Sequence, residues 1–234
     1  MVRSASVSQL LLDLLAVRVP AAATWLRQTA TEIAALCLAE PVARRTLQLR
    51  YSQAVRHAPR QALAPSSADV AALTALRPGL DPSRWSLDQT ARAGLLAALP
   101  DSDAEALVST VDQLAGSADL HELIALYQAL PQLAHPPRWT ARAAEGLRSN
   151  MQAVFAAVAL DNPYPAEHLD EDAWNQLVLK CLFVNQPLSR IVGLDQRTNP
   201  RLSRMLCDYA DERRAAKRPI PAELWRCVPQ SLHP

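Results

Sequence analysis

The sequence predicts an all-α protein. Leucine and alanine dominate the 234 residues while β-branched and aromatic side chains are scarce, a balance that favours helix over strand. Only five glycines occur, and eighteen prolines divide the chain into short periodic segments, since proline is tolerated in a first helical turn or a loop but not inside a helix. The segments between prolines give about ten to twelve helices. The length is sufficient for a substantial core and lies between one large and two small domains. We read a single domain, with residues 1–145 as an N-terminal helical array and residues 146–234 as a C-terminal segment packed on it.

The first element is expected over 5–18. Val7, Leu10, Leu11, Leu14 and Val17 recur at helical spacing and make one face of an amphipathic helix. Asp13 and Arg18 interrupt what otherwise imitates a secretory signal. No stretch reaches the roughly 18 apolar residues needed to cross a bilayer, so no membrane span is expected. Further helices are expected over 21–39, 42–56, 67–76, 86–98, 102–115, 119–130, 138–158, 170–184, 187–192, 200–217 and 221–227. Caps mark several starts: Ser86, Asp101 or Ser102, and Asp119 with Glu122 three residues on. Residues 58–69 and 77–85 read as loops. Short helices with proline-marked turns suit an antiparallel array of the HEAT kind, whereas the lack of a fixed period suits a compact helical bundle.

Charge and cysteine content exclude several function classes. Twenty-four basic against 23 acidic residues leave a net charge of +1, without the field that holds a polyanion, so no nucleic-acid partner is expected. The cysteines at 37, 181, 207 and 227 form no CxxC pair and have no metal-ligand spacing. They read as core thiols of a reducing compartment, which indicates the cytoplasm, with a peripheral position at the inner membrane as the alternative. No metal site and no cofactor are expected.

The stretch "NPYPAEHLDEDAWNQLVLK" is compositionally foreign to the rest. Asn162 and Tyr164 each precede a proline, which pushes both toward extended geometry and makes a stiff bend that presents Tyr164. Tyr164 then reads either as a packed ring with its hydroxyl bonded or as a ligand contact. Asp170 can cap the following helix, and Trp174, Leu177, Val178, Cys181 and Leu182 give it an apolar stripe. Asp172, Gln176 and Lys180 run down another face, and Asn175 lies at the edge of the apolar one, where a partly buried amide needs partners. His168 between Glu167 and Asp170 suggests proton chemistry, although the spacing fits no known metal motif. In "GLDQRTN", Gly193 stops a helix, Asp195, Arg197 and Asn199 crowd the loop, and Pro200 opens the next helix.

Three motifs, "GLRSNM" at 146–151, "NPYPAEHLDEDAWNQLVLK" at 162–180 and "GLDQRTNPRLSRMLCDYADERRAAKRPIPAELWR" at 193–226, together resemble the EboA family of metabolite-traffic proteins. The resemblance is carried by residues 146–234. It implies a bacterial protein whose gene cluster also encodes a prenyltransferase of the UbiA kind, a sugar-phosphate-cyclase-like enzyme and metal-dependent hydrolases. In cyanobacteria such clusters are linked to moving a secondary-metabolite precursor toward the envelope. The resemblance carries over no reaction and no catalytic residue.

The expected function is therefore a non-enzymatic helical protein that binds a small polar or prenylated metabolite, or another protein of the same gene cluster. The alternative is an enzyme acting on a cyclitol-like or prenylated intermediate, with His168, Asp170, Lys180 or Asp195 in proton transfer. Candidate ligand-binding residues are Arg148, Asn150, Asn162, Tyr164, His168, Asn175, Gln176, Lys180, Arg190, Asp195 and Arg197. The "NPYP" bend, the first turn of the Trp174 helix, "RSN" at 148–150 and the "GLDQRTN" loop are expected to converge on one polar-lined pocket that presents Tyr164 and Asn175, with Arg148, Arg190 and Arg197 as donors to hydroxyl or phosphate oxygens.

Overall fold

A computed structural model describes residues 2–232, with side chains over 7–231. Twelve α-helices are present among them: α1 (Val2–Arg18), α2 (Ala23–Ala34), α3 (Pro41–His57), α4 (Ser67–Leu76), α5 (Leu87–Leu96), α6 (Ala104–Ser117), α7 (Leu120–Ala129), α8 (Thr140–Arg148), α9 (Gln152–Ala159), α10 (Tyr164–His168), α11 (Glu171–Phe183) and α12 (Pro200–Ala215). The described residues contain no strand, only an isolated bridge between Ala62 and Ser86. None of these helices is long and apolar enough to cross a membrane.

α5 is the axis of the fold. Its apolar positions, with Ala and Gly at 91, 93 and 94, let neighbours close in on every side, and all of its residues except Gln89 are buried. It packs against α1, α2, α3 and α7; α7 in turn packs on α9, α9 on α8, and α11 on α12. An array would restrict each unit to its sequence neighbours, whereas α1 and α3 both reach α5, so the architecture is a compact bundle. One continuous apolar cluster runs from Val7 to Val228 and makes a single domain.

A charged group sits inside this core. Arg92 is 1% exposed and Asp88 0%, and the guanidinium binds the carboxylate at 2.5 Å one turn earlier on α5. Its Nε donates to the carbonyl of Tyr51 on α3 at 3.1 Å, and it lies 3.7 Å from Glu122 on α7. The Tyr51 hydroxyl donates to the Glu122 carbonyl at 2.7 Å, which closes the ring across three helices. Burial raises the Tyr51 pKa well above 10, so the phenol stays a donor.

Several boundaries differ from the expected ones, each for a local reason. The helix expected over 21–39 ends at Ala34, ahead of a turn whose Glu40 is held extended by Pro41. The helix expected over 138–158 is two: the Ser149 hydroxyl accepts the Met151 amide at 3.1 Å and turns the chain between α8 and α9. The cap of α6 is Asp103, bonded to the Ala106 amide at 3.0 Å, and not Asp101 or Ser102. Segments 187–192 and 221–227 form only 3-10 turns. On α1, Val17 is 76% exposed, and Leu12 and Leu15 share the buried face with Val7, Leu11 and Leu14. The caps at Ser86, Asp119, Asp170 and Asn199 are as expected, with Asp119 and Glu122 forming a full capping box.

The expected "NPYP" bend is instead the start of α10. Both prolines fall in or beside the first turn, where no amide hydrogen is required, and Asn162 Oδ1 accepts the Tyr164 amide at 3.0 Å. Buried Asn162 also donates to the Tyr127 carbonyl at 3.1 Å and the Ala157 carbonyl at 2.9 Å, tying α7, α9 and α10 together.

Gly146 in "GLRSNM" marks the closest approach of α8 to its neighbours. A Cβ there would lie 2.6 Å from Val158 Cγ2 and 2.7 Å from Tyr127 Cε1. Gly146→Ala is expected to cost about 1–3 kcal/mol through overpacking, read as a lower urea midpoint with an unchanged slope. Arg92→Ala, which strands Asp88 in the core, is expected to cost about 3–5 kcal/mol in the same measurement.

Candidate functional site

A cleft of about 680 Å³ opens between α1, the C-terminus of α4, the loop after α7 and the end of α10. Val7, Leu133, Ala134 and Pro136 supply an apolar wall, and Arg77, His135, Glu167 and His168 supply polar groups. The volume and the mixture are those of a small-molecule site. Arg77 is fixed from both sides: Nε donates to the Pro131 carbonyl at 2.8 Å, and its two terminal nitrogens take the Glu167 oxygens at 2.6 and 2.5 Å. The pair is bidentate and is neutral as a unit.

His135 holds a left-handed backbone, φ +55°, and its Nε2 is 2.8 Å from the Asp101 carbonyl. A carbonyl only accepts, so Nε2 carries the hydrogen and donates it. His168 leans on the Tyr164 ring at 4.7 Å between centroids, with Nε2 3.5 Å from Glu167. Burial lowers its pKa below the ordinary 6.5 and Arg77 adds to this, against the opposing pull of Glu167. His168 is therefore neutral at pH 7. Because its folded pKa lies below the unfolded one, its contribution to stability is complete above pH 6.5 and fades as pH falls through the folded value.

The structure divides the sequence candidates between places. His168 lines this cleft, with Tyr164 behind it, buried and donating from its hydroxyl to the Pro136 carbonyl at 2.6 Å. Asn162 and Arg190 line a second, smaller cavity. The eleven residues thus do not share one pocket. Asn175 is 1% exposed and exchanges amide hydrogen bonds with Asn199, the cap of α12, at 2.8 and 3.3 Å. Arg197 lies 4.7 Å over the Trp174 ring and donates to the Pro165 and Ala166 carbonyls. Lys180 donates to the Leu147 and Ser149 carbonyls at the end of α8, where a cation meets the negative pole of the helix. Asp195 pairs with Arg226, while Arg148, Asn150 and Gln176 are exposed.

Sequence reasoning missed Arg77, His135 and Asp101. Arg77 and Glu167 are 90 residues apart, and nothing local to either names the other. The one available signal was the placement of Arg77 directly before a Pro-Gly loop, where polar groups collect at helix ends. The four cysteines are free, as expected, but only Cys181 and Cys227 are core thiols, since Cys37 is exposed and Cys207 half-buried; burial pushes the Cys181 thiol up to about 12.

Asn175→Ala is expected to lower stability by about 1–3 kcal/mol, because it removes both amide hydrogen bonds to the cap Asn199 and leaves one Nδ2 hydrogen of that cap unmet. Arg148→Ala, on the exposed surface, should stay within about 0.5 kcal/mol of the parent. Chemical denaturation of the two side by side checks this.

No curated protein and no solved structure matches the chain. A family model described as metabolite traffic protein EboA matches residues 7–229, far upstream of the C-terminal motifs that carry the resemblance in sequence. The matched span takes in both walls of the cleft, and the chain belongs to the EboA family of metabolite traffic proteins.

Proposed function

We propose that the protein is a non-enzymatic carrier that holds its metabolite in the Arg77–His168 cleft. The observation behind this reading is the combination of an apolar wall with convergent polar groups, among which the charges of Arg77 and Glu167 already cancel. With Glu167 engaged at both oxygens by Arg77, the site offers hydrogen bonding at the neutral imidazole of His168 and at the Asp101 carboxylate. Such a site suits a molecule with an apolar body and a hydroxyl or carbonyl end, the chemistry of a prenylated metabolite. An enzyme would draw on the same neutral His168 as a base, beside the Tyr164 ring.

Native mass spectrometry of protein produced together with its gene cluster tests the proposal. The wild type should retain a small molecule unaltered. His168→Phe keeps the ring and its contact with Tyr164 but removes the nitrogens, so it should retain at least about tenfold less, the loss of one good hydrogen bond, without unfolding. Retention should be constant above pH 6.5 and fall as pH is lowered through the folded pKa of His168, where protonation removes the acceptor. Retention equal in wild type and His168→Phe would remove the cleft from the function, and release of a chemically changed molecule would favour the enzyme.

A further inference from the structure

The second cavity, about 200 Å³, lies between α5, α7 and α9 and is closed by the loops carrying Arg84, Asp161 and Arg190. It is separate from the cleft, and its polar walls differ in kind. At roughly 30 Å³ per water it has room for about six or seven waters, the size of a small polar molecule.

The amide orientations in its wall follow from one another. The Ser86 amide donates to Gln89 Oε1 at 2.9 Å, which identifies that atom as the carbonyl oxygen. Gln128 Nε2 donates to the same oxygen at 3.5 Å, so the other end of Gln128 is also a carbonyl oxygen. Gln128 Oε1 is buried and has no hydrogen-bond partner among the described residues. Gln89 Nε2 is left as a donor. An unmet buried acceptor is destabilising, and a donor lodged in the cavity relieves it.

The charges are equally unbalanced. Asp161 holds Arg190 through a single oxygen, Oδ2, which Nε and one terminal nitrogen approach at 2.9 and 2.5 Å. Asp161 does so from a left-handed backbone, φ +53°, with its amide donating to the Arg190 carbonyl at 2.9 Å. Nη1 of Arg190 takes no part in this pairing. Arg84 is exposed and makes no ion pair among the described residues. Two guanidiniums against one carboxylate give the cavity one excess positive charge.

We propose that this cavity binds a small hydroxylated anion. Its carboxylate or phosphate is taken by Arg84 and the outer edge of Arg190, and a hydroxyl donates to Gln128 while accepting from Gln89. A hydroxyl suits the two amides because it donates and accepts at one atom, and a charge suits the cavity because the arginines outnumber Asp161.

Isothermal titration with sn-glycerol 3-phosphate, D-glycerate and inorganic phosphate tests this and distinguishes a phosphate from a carboxylate ligand. At least one of the two hydroxylated anions should bind about tenfold or more tightly than inorganic phosphate. Gln128→Leu should reduce that ligand to the level of inorganic phosphate, and Arg84→Ala should weaken it by about tenfold or more, the scale of a charged hydrogen bond. His168→Phe, in the other cleft, should leave it unchanged. Arg84 is exposed, so its variant carries the test even if Gln128→Leu does not fold. No heat from either hydroxylated anion at about 10 mM, or equal affinity in wild type and Arg84→Ala, would overturn the assignment.

Discussion

The buried guanidinium of Arg92 constrains the rest of the bundle. A charge at 1% exposure is tolerable only when it is compensated, and the compensating groups come from three helices: Asp88 on α5 and Tyr51 on α3 by hydrogen bonds, and Glu122 on α7 as an opposite charge 3.7 Å away. Apolar packing alone would let α5 slide or rotate against its neighbours at small cost. The directional bonds of Arg92 fix its register, and α5 then sets the positions of α1 and α2. Both cavities depend on that placement, since Gln89 lines one from α5 and Val7 lines the other from α1.

The two cavities differ in what their polar groups have left to offer. In the cleft the charges of Arg77 and Glu167 meet each other, which leaves the imidazoles, the Asp101 carboxylate and an apolar wall. In the smaller cavity the cations outnumber the carboxylate and a carbonyl oxygen lacks a donor. The segment from Asp161 to His168 borders both, through Asn162 on one side and His168 on the other. This explains in physical terms why the stretch looked foreign in sequence: its prolines start a very short helix, Asn162 bonds three backbone groups, and its last residues face a cleft.

The helices were legible wherever their causes are local. The stripe from Trp174 to Leu182 and the caps at Asp119, Asp170 and Asn199 depend on residues within a turn or two, and each is present. The break at Ser149 was not, because alanine-rich periodicity continues across it and the hydroxyl that turns the chain is a single weak signal. The site was less legible still. Asn175 and Arg197 looked unmotivated because their partners, Asn199 and the α10 carbonyls, lie 24 or more residues away. A polar residue at the edge of an apolar face indicates that a partner exists, but not whether the partner is a ligand or the protein itself.

The pairing of Arg77 with Glu167 has a consequence for how the protein is made. One wall of the cleft and its arginine leave the ribosome 90 residues before the carboxylate that completes it. At about 5–20 residues per second, that interval lasts roughly 5–20 seconds. The Arg92 ring is complete much earlier, once Glu122 has emerged, so the nascent chain can hold an ordered N-terminal bundle while the cleft still lacks its far side. The cleft between Arg77 and Glu167 is therefore a property of the finished chain.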